Sequence, residues 1–596
     1  MCSASRTSLF RSPQDFLPPA LPWQGESEGL IAHPDNPWIT PGERTGLSDT
    51  PSYEETVAYL KRLCAVVPAF SLQEFGRSAQ GRILYVVIAT KEQWHTPEAL
   101  QASGKPLLLV QSGIHSGEIE GKDAGLMLLR DIAFGGKSAL LDSAHFLFIP
   151  ILNVDGHERR SEWTRPNQRG PVHMGWRTTA QNLNLNRDYV KADAPEMRGL
   201  VALLECWRPA LYLDLHVTDG IDYQYDVTYT FHGTHGTYAW SPQSGAWLDR
   251  VLDPAIASAL KAHGHIPASL YIDTRNGRDL DDGLIEGHAL PRFSQGYGDL
   301  RHIPTVLVET HSLKPHRQRV LGIYVLIEAA LATLGREGAK LVAAIAADRA
   351  LRPDPLPVAW ASSKAVREID FLGVAYLHYP SPSSGVTEVR WTGQPKTFPN
   401  LKVYGDEPDL RLSRAKAYWV PVTKPDVIDR LRLHGVIIEP LTEPKTLTLD
   451  MYRLVDPKVR PGEGFHPYEG RHTLTVQTRT ERRTETFPAG SVRVSTDQPL
   501  GNLAMVMLEP ESADSLLAWG FFSEILQRTE YIEGYVAAPM AERMLDADPA
   551  LKAEFTALLA ADPVFAADPK ARLAWFYQRS PFYDERFLLY PVGIER

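Results

Sequence analysis

SGIHSGEIEGKDAG, residues 112–125, follows directly on the apolar run Pro106-Leu-Leu-Leu-Val110. A short apolar run bounded by turn residues reads as a strand buried on both faces. His115 and Glu118 stand three apart in the glycine-spaced turn that ends it, and from Ile119 the chain enters a helix. An imidazole and a carboxylate placed there reach one point beyond the strand's carboxyl end, where open α/β sheets hold ligands. Taken alone, the pair also fits a polar turn with a capping glutamate. The stretch approaches a phosphate loop at Gly121-Lys122. However, Ser116 stands where the first glycine belongs and Asp123 where Ser or Thr would bind magnesium, so that reading is rejected.

Working outward, four more apolar runs appear: LYVVIAT (84–90), HFLFIPIL (145–152), ALYLDLH (210–216) and TVLVETH (305–311). Helical stretches fall between several of them, notably 122–132 and 195–207. The pattern predicts an α/β fold with a mixed, mostly parallel central sheet flanked by helices. Ser52 and Glu55 form a capping box that starts a helix at about residue 53. A long helical stretch, 318–348, closes the unit, and the proline-rich 351–357 marks a boundary. Beyond it, TLTLDMYRL and RHTLTVQTRTERRTETF alternate apolar and polar residues, as half-exposed antiparallel strands do. The chain from about 510 on reads as helical and aromatic-rich, and the stretch 519–536 carries an aromatic stripe at helical spacing. The expected organisation is an N-terminal arm (1–50), a catalytic domain (51–350) and an accessory region (358–596), β-rich and then helical.

The 596 residues are too many for one ordinary core, and the net charge of −10 argues against a nucleic-acid partner. No uninterrupted apolar run reaches the roughly 18 residues of a membrane span, so no transmembrane segment is expected. Cys2, Cys64 and Cys206 build neither a disulfide framework nor a thiolate metal site. The first 25 residues show no apolar signal-peptide core. Cys2 has a second reading, as a lipid-bearing first residue of a processed chain.

A third ligand is offered by His216, at the end of its strand. Two histidines and one carboxylate leave a fourth tetrahedral position open, the catalytic form of a zinc site, although non-haem iron accepts the same donors. Glu309 favours hydrolysis. A carboxylate at the end of an apolar strand is costly unless paired or functional, and beside a metal it serves as a general base. Arg177 can stabilise an oxyanion, and Arg187 can hold a carboxylate bidentately.

In combination these residues resemble the zinc carboxypeptidase family, the carboxypeptidase A/B-like peptidases, over roughly residues 50–335. Gly76-Arg-Ser-x-x-Gly-Arg82, Gly113-Ile-His-Ser-Gly-Glu118, Pro150-Ile-Leu-Asn-Val-Asp-Gly156, Trp176-Arg177, Leu185-Asn-Arg-Asp188, Asp214-Leu-His216 and Val308-Glu309 follow in the family's order. The resemblance implies His115, Glu118 and His216 as ligands of one zinc ion per chain. It implies Glu309 as general base and then acid, and Arg177 as the group that polarises the scissile carbonyl. Asn186 and Arg187 would grip the C-terminal carboxylate of a peptide. For the substrate-capping tyrosine, Tyr297 is the first choice and Tyr271 the second. A periplasmic or secreted setting is also implied.

The chain departs from the family's pattern at Val154, at Asn184 (where Asp is frequent) and at Asp188. Asn184 occupies a position that can orient a zinc-bound histidine, and Asp188 is placed to weaken the hold on a carboxylate. His232 and His235 read as solvated loop histidines rather than a second metal site. Asp279, Asp281 and Asp282 read as a solvated acidic face. The expected activity is zinc-dependent hydrolysis of C-terminal peptide bonds. The alternative is a zinc-dependent deacylase or amidase acting on acyl amino acids or cell-wall peptides.

Overall fold

In a computed structural model of the chain, residues 14–271, 273–461, 469–528 and 530–596 are described. Cys2 lies outside them. The central sheet has eight strands: β1 (Phe70–Arg77), β2 (Ile83–Ala89), β3 (Leu107–Gln111), β4 (His145–Ile149), β5 (Leu211–Thr218), β6 (Val227–Thr230), β7 (Pro267–Ser269) and β8 (Thr305–His311). Their order is β1-β2-β4-β3-β5-β8-β6-β7. The middle of the sheet is parallel, β4 with β3, β3 with β5 and β5 with β8. Antiparallel pairs join β1 to β2, β2 to β4 and β8 to β6. The five apolar runs are therefore strands buried on both faces, as their continuous hydrophobicity requires.

After β3 the chain moves to one side to form β4, then crosses to the other to form β5. The carboxyl end of β3 is thus a topological switch point, which opens a crevice there. His115 and Glu118 sit in that turn.

Each face of the sheet has its own core. Leu108, Val110, Leu213, Leu215 and Val308 pack under the helices Glu120–Phe134 and His316–Ala350. Leu107, Leu109 and Tyr212 pack with the helix Pro195–Trp207, and this core continues into Tyr418, Val492, Trp519 and Tyr590. The C-terminal region is therefore built onto the same apolar core as the central sheet.

Helix His316–Ala350 is long and apolar enough, by length and composition, to cross a bilayer. Its apolar side chains are instead largely covered by the sheet and neighbouring helices. The arm expected over residues 1–50 is packed down: buried Glu43 pairs with Arg130, and Glu28 pairs with Arg317.

Beyond residue 355 the chain forms a long hairpin, Leu356–Pro380 with Thr387–Leu412. It shares a four-stranded sheet with the short strands Asp273–Thr274 and Leu284–Ile285. A six-stranded sheet follows. It contains the hairpin Lys445–Val459 with Leu474–Phe487, the alternating segments noted above. The aromatic stretch 519–536 is not one helix. Trp519, Phe521 and Phe522 are buried, whereas Tyr531 and Tyr535 face solvent, and a helix begins only at Gly534.

Candidate active site

The turn after β3 is shaped by its glycines. Gly113 adopts a left-handed conformation (φ 70°) that turns the chain out of the strand. A Cβ on Gly117 would meet Arg165 at 2.7 Å and the Gly175 carbonyl at 2.9 Å, so a side chain there would push away the segment leading to Arg177. Lys122 is buried, donating to the Pro51 carbonyl and to His157 Nε2, and faces no open loop. This agrees with rejection of the phosphate-loop reading.

The remaining motif segments brace one another. Asp155 accepts from Ser78 Oγ (2.8 Å), from the Gln80 backbone (3.0 Å) and from Arg82 (2.6 Å). Asn153 caps the helix Val154–Glu158 by accepting from Gly156 N, and it donates to the Arg177 carbonyl. Ser116 Oγ donates to the Asn153 carbonyl at 2.6 Å. The turn that carries the ligands is thereby tied to the segment that carries Arg177.

Asp214 and His216 are two apart on β5 and share a face. Glu309 is the register partner of His216 on β8 and points the same way. His115, Glu118 and His216 are all buried, and one ligand atom from each lies within 4.8 Å of the other two. His115 Nδ1 is 3.2 Å and His216 Nδ1 3.1 Å from Glu118 Oε2. Both histidines thus turn Nδ1 inward. Their outer nitrogens are held: His115 Nε2 bonds to Asn184 Oδ1 (2.9 Å) and His216 Nε2 to Asp214 Oδ2 (2.8 Å). Protons on Nε2 leave the Nδ1 lone pairs free for a metal. This His₂Glu donor set, with its backing partners, fits zinc.

Burial drives the His115 imidazole down to about 4, assisted by Arg177, which keeps it neutral and able to ligate. His216 is raised despite burial, because Asp214 and Glu118 favour its charged form. Glu118 is held well below the usual carboxylate range. Burial opposes this, but His115, Arg165 and His216 outweigh it. Glu309 is half-buried; its Oε2 is covered and, among the described residues, has no hydrogen-bond partner. Burial raises it to about 8 against the pull of His216, and Glu118 and Asp214 push the same way as burial.

Arg177 Nη1 lies 3.3 Å from Glu118 Oε1, with 43% of its side chain exposed, so it borders both cluster and solvent. Arg165, which sequence reasoning did not single out, donates to the same oxygen at 2.8 Å. It sits in a loop with no periodic or motif context to mark it. Asp214 gained its role only from the geometry.

Asn186 is buried, and among the described residues its Oδ1 has no partner. Arg187 packs over the Phe293 ring at 4.4 Å and donates to its neighbour's carbonyl, that of Asn186. Among the described residues no carboxylate lies within ion-pair distance of it. Burial and then Arg177 lower its guanidinium to about 10. Asp188 does not compete for it. Its oxygens accept from Lys191 and from the backbone N–H groups of Asp193 and Ala194.

From the C-terminal region, Glu469 accepts the Asn184 backbone N–H and feels the charges of Arg187 and Lys191. Arg471 clamps Asp193 with two bonds of 2.6 and 2.8 Å. The surroundings of Arg187 are therefore part catalytic sheet, part C-terminal region.

Tyr297 is not brought to the cluster. It is fully buried, with its hydroxyl between His434 Nδ1 (2.6 Å) and Arg301 (2.7 Å). Tyr271 packs against Phe371. His232 is buried rather than solvated, bonded to Asp299 and stacked on His288 at 4.1 Å, while His235 is exposed and bonded to Ser269. Asp279 pairs with His378 and Asp281 with Tyr376, on the four-stranded sheet.

Residues 56–247 match the family described as zinc carboxypeptidase. Carboxypeptidase 2 of Trichophyton rubrum is 24% identical over 498 residues, covering 79% of this chain and 84% of that one. Carboxypeptidase 2 of Trichophyton tonsurans is 24% identical over 446 residues, covering 70% and 74%. Among solved structures, a metallo-carboxypeptidase from Burkholderia cenocepacia is 18% identical with a TM-score of 0.34, covering 48% of this chain and 69% of that one. The matched segment, which contains His115, Glu118 and His216, carries the zinc carboxypeptidase domain of this chain.

Proposed function

We propose that this chain is a zinc-dependent carboxypeptidase whose working residues are His115, Glu118, His216, Glu309, Arg177, Asn186 and Arg187. The observation that carries the reading is the convergence of two Nδ1 atoms and one carboxylate near Glu309, whose Oε2 is covered and, among the described residues, unpartnered. Bound by His115, Glu118 and His216, zinc supplies a Lewis acid that polarises a carbonyl and acidifies water. Asn184 and Asp214 fix the two imidazoles so that Nδ1 stays presented.

Glu309 takes a proton from the water that attacks the scissile carbonyl carbon. It returns that proton to the amide nitrogen as the C–N bond breaks, releasing a carboxylic acid and an amine. Arg177, partly exposed and free to swing from Glu118, meets the negative charge developing on the carbonyl oxygen. Arg187 needs an anion to offset its burial, and a peptide's terminal carboxylate supplies one. Asn186 supplies a polar side chain next to it. The preference for an exopeptidase over an endopeptidase follows from this arginine.

The test is metal content by elemental analysis, paired with release of free amino acids from a peptide mixture. About one zinc per chain and release of C-terminal residues is expected. Activity confined to acyl amino acids would replace this reading with the deacylase. Failure to bind zinc after reconstitution would sink both.

A further inference from the structure

A cleft of about 390 Å³ lies between the catalytic sheet's lower edge and the C-terminal region. Its walls come from the end of helix Pro195–Trp207, from 208–210 and 301–303, from helix His316–Ala350, and from Gly435, Ile437 and 498–500. Ala210 and Ile303 precede β5 and β8, so the cleft sits at the amino ends of the parallel strands. The His₂Glu cluster sits at their carboxyl ends. Six residues of strand separate Ala210 from His216, or roughly 20 Å. The two sites are distinct.

Three arginines face this cleft: Arg208, Arg301 and Arg349. One carboxylate, Glu205, answers them. It accepts from Arg301 and, at 3.1 Å, from Arg208. Three cations less one anion leaves two positive charges in excess. Arg301 is buried, yet among the described residues its Nε has no hydrogen-bond partner. Among the described residues no carboxylate is within ion-pair distance of Arg349. Burial, Arg208 and Arg301 lower the Arg349 guanidinium, against the pull of Glu205, which is already paired with Arg208 and Arg301. His302 adds no charge that could be answered: its ring nitrogens bond to Ser241 Oγ and the Pro499 carbonyl, and burial lowers it. Gln498 is engaged by the backbone of Ile437 and Ser495, and the rest of the wall is largely apolar, including Leu204, Ile303, Val342, Ile345 and Leu500. A mostly apolar concavity of this size with a few convergent charges is the ordinary form of a small-molecule site.

We infer that this cleft binds a small organic anion, its charged head against Arg208, Arg301 and Arg349 and its apolar body along Leu204, Val342 and Ile345. A charged head alone leaves the apolar wall wet, and a neutral ligand leaves Arg349 unanswered.

The test is isothermal titration calorimetry on the full chain with octanoate and with inorganic phosphate. Three variants are compared with wild type: Arg349→Ala, Arg208→Ala and Arg187→Ala. Arg208 is exposed and Arg349 half-buried, so the fold is expected to survive, which circular dichroism checks. Octanoate is expected to bind more tightly than phosphate. Each of the two cleft variants is expected to weaken it roughly tenfold, the scale of a lost charge-assisted hydrogen bond. Arg187→Ala should leave it unchanged. Octanoate binding no tighter than phosphate, or insensitive to both cleft variants, overturns the inference. Loss of binding in Arg187→Ala alone also overturns it, by moving the anion to the other site.

Discussion

The side-chain oxygen of Asn184 accepts a hydrogen bond from His115 Nε2 at 2.9 Å. His216 is backed instead by a carboxylate, Asp214, at 2.8 Å. The two ligands are thus oriented alike but polarised unequally, because a neutral amide raises imidazole basicity less than a carboxylate does. Asn184→Ala is expected to weaken zinc binding roughly 10- to 100-fold, and Asn184→Asp to strengthen it. Competition with a chromophoric chelator measures both. Equal zinc affinity in all three proteins would show that Asn184 does not orient His115.

Glu309 lies on β8 in register with His216 and contributes no ligand atom to the cluster. Glu309→Gln keeps the shape and removes the proton acceptor. It is expected to retain zinc while kcat falls by roughly 10²- to 10⁴-fold, the range of a lost general base. Elemental analysis and steady-state kinetics on one C-terminal peptide separate the two effects. Loss of zinc in this variant would make Glu309 a ligand instead.

Arg187 is half-buried, and among the described residues no carboxylate lies within ion-pair distance of it, while Glu469 stands near enough to be felt. Arg187→Ala is expected to raise KM for peptides roughly tenfold to a hundredfold, since it removes a charge-assisted hold on the terminal carboxylate. Glu469→Gln has the opposite sign. Removing a like charge from the anion's surroundings should lower KM by roughly two- to fivefold, with kcat unchanged. A rise in KM for Glu469→Gln would show that its carboxylate instead positions Asn184 and Arg187.

Five of the eight strands of the central sheet, β2, β3, β4, β5 and β8, were legible because burial on both faces writes them as continuous apolar runs, as in Leu107–Gln111 and Leu211–Thr218. The hairpin Lys445–Val459 with Leu474–Phe487 was legible for the opposite reason, one face wet and one dry. The hairpin of Leu356–Pro380 and Thr387–Leu412 was not. Its second strand is only partly buried almost throughout, so no alternation marks it. His115, Glu118, His216 and Glu309 were visible because chemistry-bearing residues at the ends of apolar strands conflict with burial. Tyr297 misled because its polar sequence surroundings carry no sign of which way its hydroxyl points; it lies in the helix Ser294–Leu300 and points to His434 and Arg301. Arg165 and Glu469 approach the site from loops, where sequence spacing says nothing about proximity.

Glu481 carries a pH-dependent share of stability in the accessory hairpin. Hydrogen bonds from Arg453 hold its carboxyl at about 2, below the ordinary value of 4.5. A folded-state value below the unfolded one stabilises the protein above pH 4.5, and that contribution is lost as pH falls toward 2. Glu481→Gln should therefore lower Tm at pH 7 and flatten the dependence of Tm on pH between those limits. An unchanged slope would show that the Arg453 pair contributes nothing measurable.

Gly125 sets two opposing effects against each other. It lies within the helix Glu120–Phe134, where replacing glycine by alanine ordinarily stabilises by about 1 kcal/mol. Here a Cβ would stand 2.2 Å from Phe148 Cζ and 2.4 Å from Cε2, on a ring in the middle of β4. Neither partner can yield cheaply. Phe148 is fully buried in the core beneath this helix, and the helix carries the turn with His115 and Glu118 at its start. Overpacking of this kind costs about 1–3 kcal/mol or more, so the clash outweighs the helix gain. Gly125→Ala is expected to lower Tm and, by lifting the helix from the sheet, to weaken zinc binding as well. Differential scanning calorimetry with and without zinc reads both. A higher Tm would mean that the β4 ring moves aside freely, and that the close helix–sheet approach is not what fixes the ligand turn.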